Sequence, residues 1–328
     1  MHSQTPWATI RATLLMMAAL SFCATPLLCQ QTQKDSDDAP RRELPPKRAA
    51  NQTYVLIGAG DIASCEDLSG AEATAKLIEG VPGEVFAAGD LAYEKGTAEE
   101  FKNCYGKTWG RFKNRTHPAP GNHEFYGSKD GSPYFDYWGI QAGEREKGYY
   151  SFDLGDWHVI SLNTNCAAPG LGGCGLGSPQ DVWLKKDLAE HSKSCIVAFG
   201  HHALYSSGVL KSHAIHPELR QLWADLYKAH ADIIVNGHEH SYERFAPQDP
   251  YANLDKKNGI REFVVGTGGR NHDPLGFPIA NSEVRNAETY GVLKLTLSPG
   301  EYKWEFVPAP AENVFTDSGE GTCHNRKP

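Results

Sequence analysis

The sequence predicts a mixed α/β fold with two β-sheets and helices on the outside. Three observations lead to this prediction. Short apolar runs alternate with helical patterns, a hairpin pattern lies near the middle of the chain, and strand-like segments follow in its last third. Short apolar strands that are separated by helices are typical of layered α/β architecture.

The elements can be assigned in chain order. "TYVLIGAG" and "GEVFAAGD" are predicted strands, each followed by a helix, "AEATAKLIE" and "AEEFKNCYGKTW". "GYYSFDLGDWHVISLNTN" alternates like a hairpin around a tight "LGD" turn. "SCIVAFGHH" and "ADIIVNGHEH" are strands on either side of the amphipathic helix "PELRQLWADLYKAH". "IREFVVGTGG", "YGVLKLTLSPG" and "EYKWEFVPA" are expected to form antiparallel strands.

The amino-terminal region is predicted to direct export. Residues 1–30 contain one charge, Arg11, and the apolar core "ATLLMMAALSFCATPLLC", so they are interpreted as a signal peptide. An uncleaved anchor is the alternative. Residues 31–50 are polar, charged and proline-rich, and are interpreted as a disordered tether. Residues 51–328 are then the catalytic domain, and the location is secreted or periplasmic.

Charge and cysteine content limit the classes of function. The net charge is −8, and becomes −9 when Arg11 is removed with the signal peptide. An acidic chain without basic clusters is a poor candidate for nucleic acid or for a membrane surface beyond the signal segment. Outside the signal region there are six cysteines, an even number that suggests disulfides in an exported chain. Cys166 and Cys174 are a candidate local pair, and Cys323 is expected to tie the tail to the domain.

The segment "YVLIGAGDIA" admits two interpretations. Gly58, Gly60 and Ala63 fit the G-x-G-x-x-A pattern of a dinucleotide site, whereas Asp61 is placed to bind a metal at a strand end. Other strand ends favour the second interpretation. Five times a glycine precedes Asp, Asn or His at the end of an apolar or extended run, at Asp61, Asp90, Asn122, His201 and His238, and His240 follows the last of these.

These residue types suit a pair of metal ions. Ligands in open α/β sheets bind at the carboxyl ends of strands, and glycine allows side chains to crowd together there. Carboxylates, imidazoles and an amide oxygen are suitable ligands for iron, zinc or manganese. Two such ions can hold a phosphoryl group and activate water.

The order "GD…GDLAY…GNHE…GHH…GHEH" resembles the calcineurin-like metallophosphoesterase superfamily, and Tyr93 narrows the resemblance to the purple acid phosphatase type. The resemblance implies a four-layer αββα sandwich with two mixed sheets and a binuclear centre at the strand ends. Site one would hold Fe(III) and use Asp61, Asp90, Tyr93 and His240. Site two would hold Fe, Zn or Mn and use Asp90, Asn122, His201 and His238, with Asp90 as the bridge.

The resemblance also implies the reaction. A metal-bound hydroxide would attack phosphorus in a small phosphomonoester, and His123 would contact phosphate and protonate the leaving group. A second outer-sphere histidine is expected after "GHH". His213 is preferred there, with His202 and His216 as alternatives. A phosphodiesterase or nucleotidase is the alternative activity, and a binding protein without turnover is a further one. The dinucleotide match is then incidental.

Two features leave questions open. Ala203 stands where the family pattern usually has proline, so we expect a less rigid loop after His201 without loss of the ligand. "GTGGRNH" at residues 266–272 is either a glycine-rich phosphate cradle or a strand-ending loop with tight turns.

Overall fold

The computed structural model of the protein describes residues 52–192, 195–210, 216–310 and 315–324. The predicted signal peptide and tether lie outside these residues, and so does His213. None of the helices among the described residues is both long and apolar enough to cross a membrane.

The described elements follow one another in a strand-rich order. The strands are β1 (Tyr54–Ala59), β2 (Ala63–Ser64), β3 (Glu84–Ala88), β4 (Ala92–Tyr93), β5 (Thr116–Ala119), β6 (Tyr150–Leu154), β7 (Trp157–Ser161), β8 (Cys195–Phe199), β9 (Ile233–Asn236), β10 (Tyr242–Phe245), β11 (Arg261–Val265), β12 (Ser282–Asn286), β13 (Gly291–Ser298), β14 (Glu301–Pro308) and β15 (Ser318–Thr322). The α-helices are α1 (Ser69–Glu79), α2 (Ala98–Asn103), α3 (Ser132–Trp138), α4 (Pro179–Glu190) and α5 (Arg220–Lys228).

Most strands belong to two large sheets, which confirms the predicted fold class. The first has the order β15-β14-β13-β1-β3-β5, and the second has the order β12-β10-β11-β9-β8-β7-β6. Both sheets are mixed. β1, β3 and β5 are parallel, whereas β13, β14 and β15 are antiparallel neighbours. The expectation for "IREFVVGTGG" was half right, because β11 is antiparallel to β10 but parallel to β9.

Side-chain alternation in the second sheet creates two cores. Val197 and Phe199 of β8 belong to a cluster that also contains residues of the first sheet, so they fill the space between the sheets. Ile196 and Ala198 of the same strand belong to a second cluster with α4 and α5. Because strand side chains alternate between faces, one five-residue strand serves both cores. This places α4 and α5 on the outer face.

The predicted helix "AEEFKNCYGKTW" is shorter than expected. Thr97 and Glu100 form a capping box that begins α2, but the helix ends at Asn103 and continues as short 3₁₀ turns. Gly106 lies inside the predicted helix, where glycine costs helix stability. A Cβ at Gly106 would also lie 2.8 Å from the carbonyl oxygen of Phe101.

Three disulfides are present in the described chain, one of them local and two between more distant segments. Cys166–Cys174 is the predicted local pair, and Cys195–Cys323 attaches the tail to β8, as expected. The third joins Cys65 to Cys104. The ends of the two sheets also meet directly, because His201 after β8 donates a hydrogen bond from Nδ1 to the carbonyl oxygen of Ala88 in β3 at 2.9 Å.

Candidate metal centre

The structure brings all seven predicted metal ligands together where strands of the two sheets end. Asp61 follows β1, Asp90 follows β3, Asn122 follows β5, His201 follows β8, and the segment after β9 supplies two histidines. The remaining group, Tyr93, lies at the end of β4. Six of the seven are buried, and Asn122 is partly exposed; the ligand set is Asp61, Asp90, Tyr93, Asn122, His201, His238 and His240.

One half of the cluster contains the residues predicted for site one. The Tyr93 hydroxyl donates to Asp61 Oδ1 at 2.8 Å and lies 3.2 Å from His240 Nε2. His240 Nε2 is also 3.2 Å from Asp61 Oδ1. A phenol, an imidazole and a carboxylate therefore converge on one point, and these are oxygen and nitrogen donors suited to iron.

The other half contains the residues predicted for site two. His201 Nε2 lies 3.0 Å from Asn122 Oδ1 and 3.1 Å from His238 Nδ1. These nitrogen and amide oxygen atoms approach one another as ligands of one ion would.

Asp90 belongs to both halves. Its Oδ2 atom lies 3.1 Å from the Tyr93 hydroxyl and 3.1 Å from His201 Nε2. Its other oxygen, Oδ1, accepts a hydrogen bond from the backbone N–H of His123 at 2.9 Å. The carboxylate is thereby fixed between the two groups of donors, as a bridging ligand would be.

Local backbone conformation explains how these side chains converge. Asp61, Asp90 and His238 have positive φ angles of 61°, 51° and 74°. Non-glycine residues rarely adopt this left-handed region, and such conformations concentrate at functional sites that the surrounding structure holds in place. These turns direct the three side chains, which follow different strands, toward one another.

Two of the glycines that precede candidate ligands are required by close packing. A Cβ at Gly121 would lie 2.1 Å from Asp90 Oδ1, and one at Gly237 would lie 2.5 Å from Asp61 Oδ2. Neither position has room for a methyl group. The repeated glycine before a polar residue in the sequence therefore reflects the crowding of carboxylates against neighbouring loops.

In both His201 and His240, one ring nitrogen contacts a supporting oxygen and the other faces the candidate site. His201 Nδ1 donates to the Ala88 carbonyl, and His240 Nδ1 lies 2.7 Å from Asn271 Oδ1. In both residues the Nε2 atom faces the carboxylates. Metal-binding histidines in proteins are commonly oriented by such a bond from the other nitrogen.

The cluster is electrostatically suited to a cation. Burial lowers the pKa of His201, but Asp90 and Asp61 outweigh burial and raise it to about 9. Burial, together with the carboxylates of Asp61 and Asp90, raises the pKa of Tyr93 well above its usual value. The carboxylates favour the charged form of His201, whereas burial first and the same carboxylates second disfavour a phenolate at Tyr93.

His123 lies beside the cluster and remains partly accessible. Its Nδ1 donates to the carbonyl oxygen of Glu94 at 2.7 Å, and its Nε2 is 3.8 Å from Asp90 Oδ2. The ring contacts Tyr93 at a centroid separation of 4.3 Å, and 19% of the side chain is exposed. A group that enters the site from solvent can therefore reach His123.

Two of the three histidines considered for the outer position lie close to His238. The ring of His202 is 4.4 Å away and the ring of His216 is 5.4 Å away, measured between centroids. Thr164 Oγ1 is 2.9 Å from His202 Nδ1. The preferred residue, His213, lies outside the described residues, so its role stays a prediction.

Sequence reasoning missed a buried residue that connects two of the loops. Glu124 accepts hydrogen bonds from the backbone N–H groups of Asp90, Leu91 and Gly121 at 2.9, 2.9 and 2.6 Å. It thus ties the loop after β3 to the loop after β5. Its place in "GNHE", directly after His123, was the available signal.

The glycine-rich segment 266–272 serves as a support. The N–H groups of Gly266, Gly268 and Arg270 donate to backbone oxygens of Ser241, Gly60 and Asp61. These bonds favour the interpretation as a strand-ending loop, since three of its amides are directed at backbone partners. Asn271, at the end of the segment, contacts His240 and is a further residue that the sequence did not reveal.

Comparisons with known proteins agree with this geometry. Residues 46–242 match the family model described as calcineurin-like phosphoesterase. Purple acid phosphatase 15 of Arabidopsis thaliana is 28% identical over 271 residues, which are 71% of this chain and 48% of that protein. Human acid phosphatase type 7 is 32% identical over 161 residues, 44% of this chain and 35% of that protein. The chain thus matches less than half the length of these curated relatives.

A solved structure shows the same fold. The purple acid phosphatase PPD1 from yellow lupin (Lupinus luteus) seeds superposes with a TM-score of 0.66 at 22% identity, over 87% of this chain and 57% of that chain. Together with the sequence matches, this confirms the resemblance to purple acid phosphatases that the motifs indicated.

Proposed function

The chain belongs to the calcineurin-like phosphoesterase family, and we propose that it is an exported binuclear metallophosphatase that hydrolyses phosphomonoesters. The observation that carries this proposal is the position of Asp90. One carboxylate oxygen lies 3.1 Å from a group of each half of the cluster, Tyr93 on one side and His201 on the other. A single ion would not need that arrangement, whereas a bridged pair of ions would.

The donor set fits two ions of different character. Asp61, Tyr93 and His240 would hold the first ion with two oxygens and a nitrogen, and the phenol favours Fe(III). Asn122, His201 and His238 would hold the second ion, proposed to be Fe, Zn or Mn, and Asp90 would belong to both sets. Bound in this way, the ions would supply an activated water and neutralise charge on the phosphate.

The surrounding residues of this chain would hold and move protons. His123 Nδ1 donates to the Glu94 carbonyl, which fixes the ring and leaves Nε2 facing the cluster. From that position Nε2 would contact the phosphate and give a proton to the leaving oxygen. Glu124 would maintain the relative position of Asp90 and His123 through its bonds to Asp90 and Gly121.

The second outer-sphere histidine is proposed to be His213. His202 and His216 are competitors, because their rings lie 4.4 and 5.4 Å from that of His238. Alanine variants of the three residues, assayed in parallel for turnover and metal content, separate the candidates. The residue sought is the one whose loss lowers turnover while both ions stay bound.

Export is supported by the cysteines. Three disulfides in the described chain are typical of a protein that folds in an oxidising compartment. The proposed location is therefore secreted or periplasmic, after removal of residues 1–30, with residues 31–50 as a tether and residues 51–328 as the catalytic domain.

The deciding measurement is metal content and a visible spectrum of the purified mature protein, with hydrolysis of p-nitrophenyl phosphate and bis(p-nitrophenyl) phosphate in the same preparation. Two metals per chain, one of them iron, and faster hydrolysis of the monoester are expected. Preference for the diester would favour the alternative phosphodiesterase activity. Absence of bound metal, with no activity after metals are added, would refute the proposal.

A further inference from the structure

Two loops beside the candidate metal centre are joined into one wall, which we define as residues 206–210 and 271–279. Gly208 and Leu275 form an antiparallel bridge. The N–H of Gly276 donates to the Ser207 carbonyl at 2.8 Å, and the N–H of Ile279 donates to Ser207 Oγ at 3.2 Å. The two loops therefore act as a connected surface.

A buried carboxylate fixes this wall to the second sheet. Glu243 of β10 accepts hydrogen bonds from the N–H of Ser207 at 2.7 Å and from its hydroxyl at 2.5 Å. The hydroxyl of Ser282, at the start of β12, donates to the same carboxylate at 2.5 Å. These bonds hold the loop after His201 in place, although it carries Ala203 where proline was expected. The wall is thus preorganised.

The wall begins at the metal centre. Asn271 Oδ1 is 2.7 Å from His240 Nδ1, and Asp273 Oδ2 accepts from the His240 N–H at 3.4 Å. On the other loop, a Cβ at Gly208 would lie 1.9 Å from Glu239 Oε2, so this glycine packs directly on the residue between the two candidate histidine ligands. Both loops therefore lead outward from the segment that carries His238 and His240.

The outer part of the wall is apolar and exposed. Phe277 is 96% exposed, Val209 is 53% exposed and Ile279 is 36% exposed. The two loops meet there, because a Cβ at Gly276 would lie 2.6 Å from Val209 Cγ1. Isolated exposed hydrophobic residues are common, but several of them on one ordered surface beside a site indicate a binding surface.

We propose that this wall binds the organic group of the ester substrate, and that this group is aromatic or apolar. The inference rests on the proposed phosphatase function, because the phosphate would lie at the metal centre while the ester group extends over Val209 and Phe277. Continuity with the segment that carries His238 and His240 favours the substrate as occupant over a protein partner.

The test uses pairs of molecules whose organic groups differ. Because phenol is also the better leaving group, the measure of wall contact is how far each variant changes the preference of the native protein. For the metal-loaded protein, kcat/KM is measured with phenyl phosphate and with glycerol 2-phosphate. Binding of phenylphosphonate and methylphosphonate, which are not hydrolysed, is measured by calorimetry. We expect the aromatic member of each pair to be preferred, and Phe277→Ser to reduce that preference about tenfold.

Matched variants separate the wall from general effects. Val209→Ser, on the other loop, should reduce the aromatic preference in the same direction as Phe277→Ser. Leu176→Ser is the control, because Leu176 is 79% exposed and lies outside the wall, and it should leave both preferences unchanged. Activity toward glycerol 2-phosphate should also be unchanged in Leu176→Ser.

The outcomes distinguish this inference from the proposed function. Turnover without aromatic preference, or a preference that neither wall variant alters, would overturn the wall as a substrate surface. A dimer that Phe277→Ser dissociates would assign the surface to a second copy and would also overturn it. Aromatic phosphonate preference without turnover of any ester would support the wall while the phosphatase proposal fails. Binding of neither phosphonate, together with no turnover of either ester, would overturn both.

Discussion

Two histidine and aspartate clusters in the described part of the chain differ in what their side chains can bind. The first is the candidate metal centre, where Asp61, Asp90 and His201 each place a ligand atom within 4.8 Å of the others. The second, which we call the edge cluster, consists of Asp153, His158, Asp187 and His191 on β6, β7 and the end of α4. In the edge cluster, Asp153, His158 and His191 meet the same distance criterion.

The nitrogen atoms of histidine show the difference. His158 Nδ1 is 2.8 Å from Asp153 Oδ1 and its Nε2 is 2.7 Å from Asp187 Oδ2, so carboxylates occupy both nitrogens. In the candidate metal centre, the Nδ1 atoms of His201 and His240 contact the uncharged oxygens of Ala88 and Asn271, and the Nε2 atoms are directed into the cluster. The carboxylate of Asp273 is farther from His240 Nδ1, at 3.6 Å. A histidine with both nitrogens bound to carboxylates is an ion-pair partner.

Ring geometry leads to the same conclusion. The rings of His158 and His191 are stacked 3.7 Å apart at an interplanar angle of 10°. Imidazole binds a metal in the plane of its ring, and two nearly parallel planes share no such point. In the candidate metal centre, the rings of His201 and His238 are inclined by 75°, which would allow their planes to meet at one ion. Residue types and proximity are therefore insufficient to identify a metal site.

The largest effect is expected from Asp90→Ala. Removing the proposed bridge should abolish binding of both ions and lower turnover by at least about a thousandfold, since the ions supply several kcal/mol of stabilisation to the reaction. Metal analysis by mass spectrometry and a phosphate-release assay measure the two effects. Asp153→Ala, a matched change in the edge cluster, should retain both ions. If Asp90→Ala kept two ions per chain, Asp90 would not be the bridge.

A smaller effect on the same centre is expected from His123→Ala. The variant should keep both ions, because its side chain is placed to transfer a proton, and turnover should fall by about 10²–10⁴-fold. Turnover of phenyl phosphate and metal content are compared in one preparation. His191→Ala provides the control, since His191 lies in the edge cluster. Full activity of the His123 variant would refute the proton-transfer role.

Many strands and helices could be predicted because the spacing of apolar residues along the sequence was clear. β1, β3, β8 and β9 are buried runs bounded by glycine, and α1 and α5 have a regular apolar face. Helix α4 was missed, because its apolar residues do not form a continuous stripe in "PQDVWLKKDLAE". The direction of β11 was only half predicted, since a strand's neighbours depend on chain crossovers that local sequence does not encode.

The candidate centre was predictable to a similar extent. The seven candidate ligands could be proposed from the sequence because glycine and a polar residue recur at strand ends and match a known order of motifs. Glu124 and Asn271 were missed because they act through backbone amides or through another side chain, and their partners Asp90 and His240 are distant in sequence. The wall formed by residues 206–210 and 271–279 could not be predicted either, because its two loops are distant in sequence and meet only in the folded protein.

A spectroscopic effect is expected from Tyr93→Phe. If Tyr93 binds Fe(III), the native protein should show a visible charge-transfer band, which the variant should lose because it has no phenolate. Absorption spectra are recorded together with iron content. Tyr134→Phe is a buried control, because Tyr134 donates to the Pro118 carbonyl and lies outside the ligand set. A band that persists in Tyr93→Phe with iron bound would exclude Tyr93 as the ligand.

His158→Gln, in the edge cluster, is expected to have the smallest effect on activity. It should nevertheless lower the stability of the protein clearly. Burial alone would lower the pKa of His158, but hydrogen bonds to Asp153 and Asp187 raise it above its usual value. Burial likewise raises the pKa of Asp187, but the hydrogen bond from His158 holds it below its usual value. The folded protein therefore favours protonated His158 paired with ionised Asp187. The ring of His191 stacks on that of His158.

These two shifts define a pH window. The stabilisation from His158 is fully present below its unfolded pKa of about 6.5 and is lost as pH rises through the raised value. That from Asp187 is present above about pH 4 and is lost as pH falls through the lowered value. His158→Gln should therefore lower the free energy of unfolding by about 3 kcal/mol near pH 5.5, and by less in alkaline solution. Urea unfolding at both pH values measures this, with metal content expected to be unchanged. An equal loss at both pH values would show that His158 contributes packing alone, whereas loss of an ion would mean that the two clusters are less distinct than their nitrogen contacts indicate.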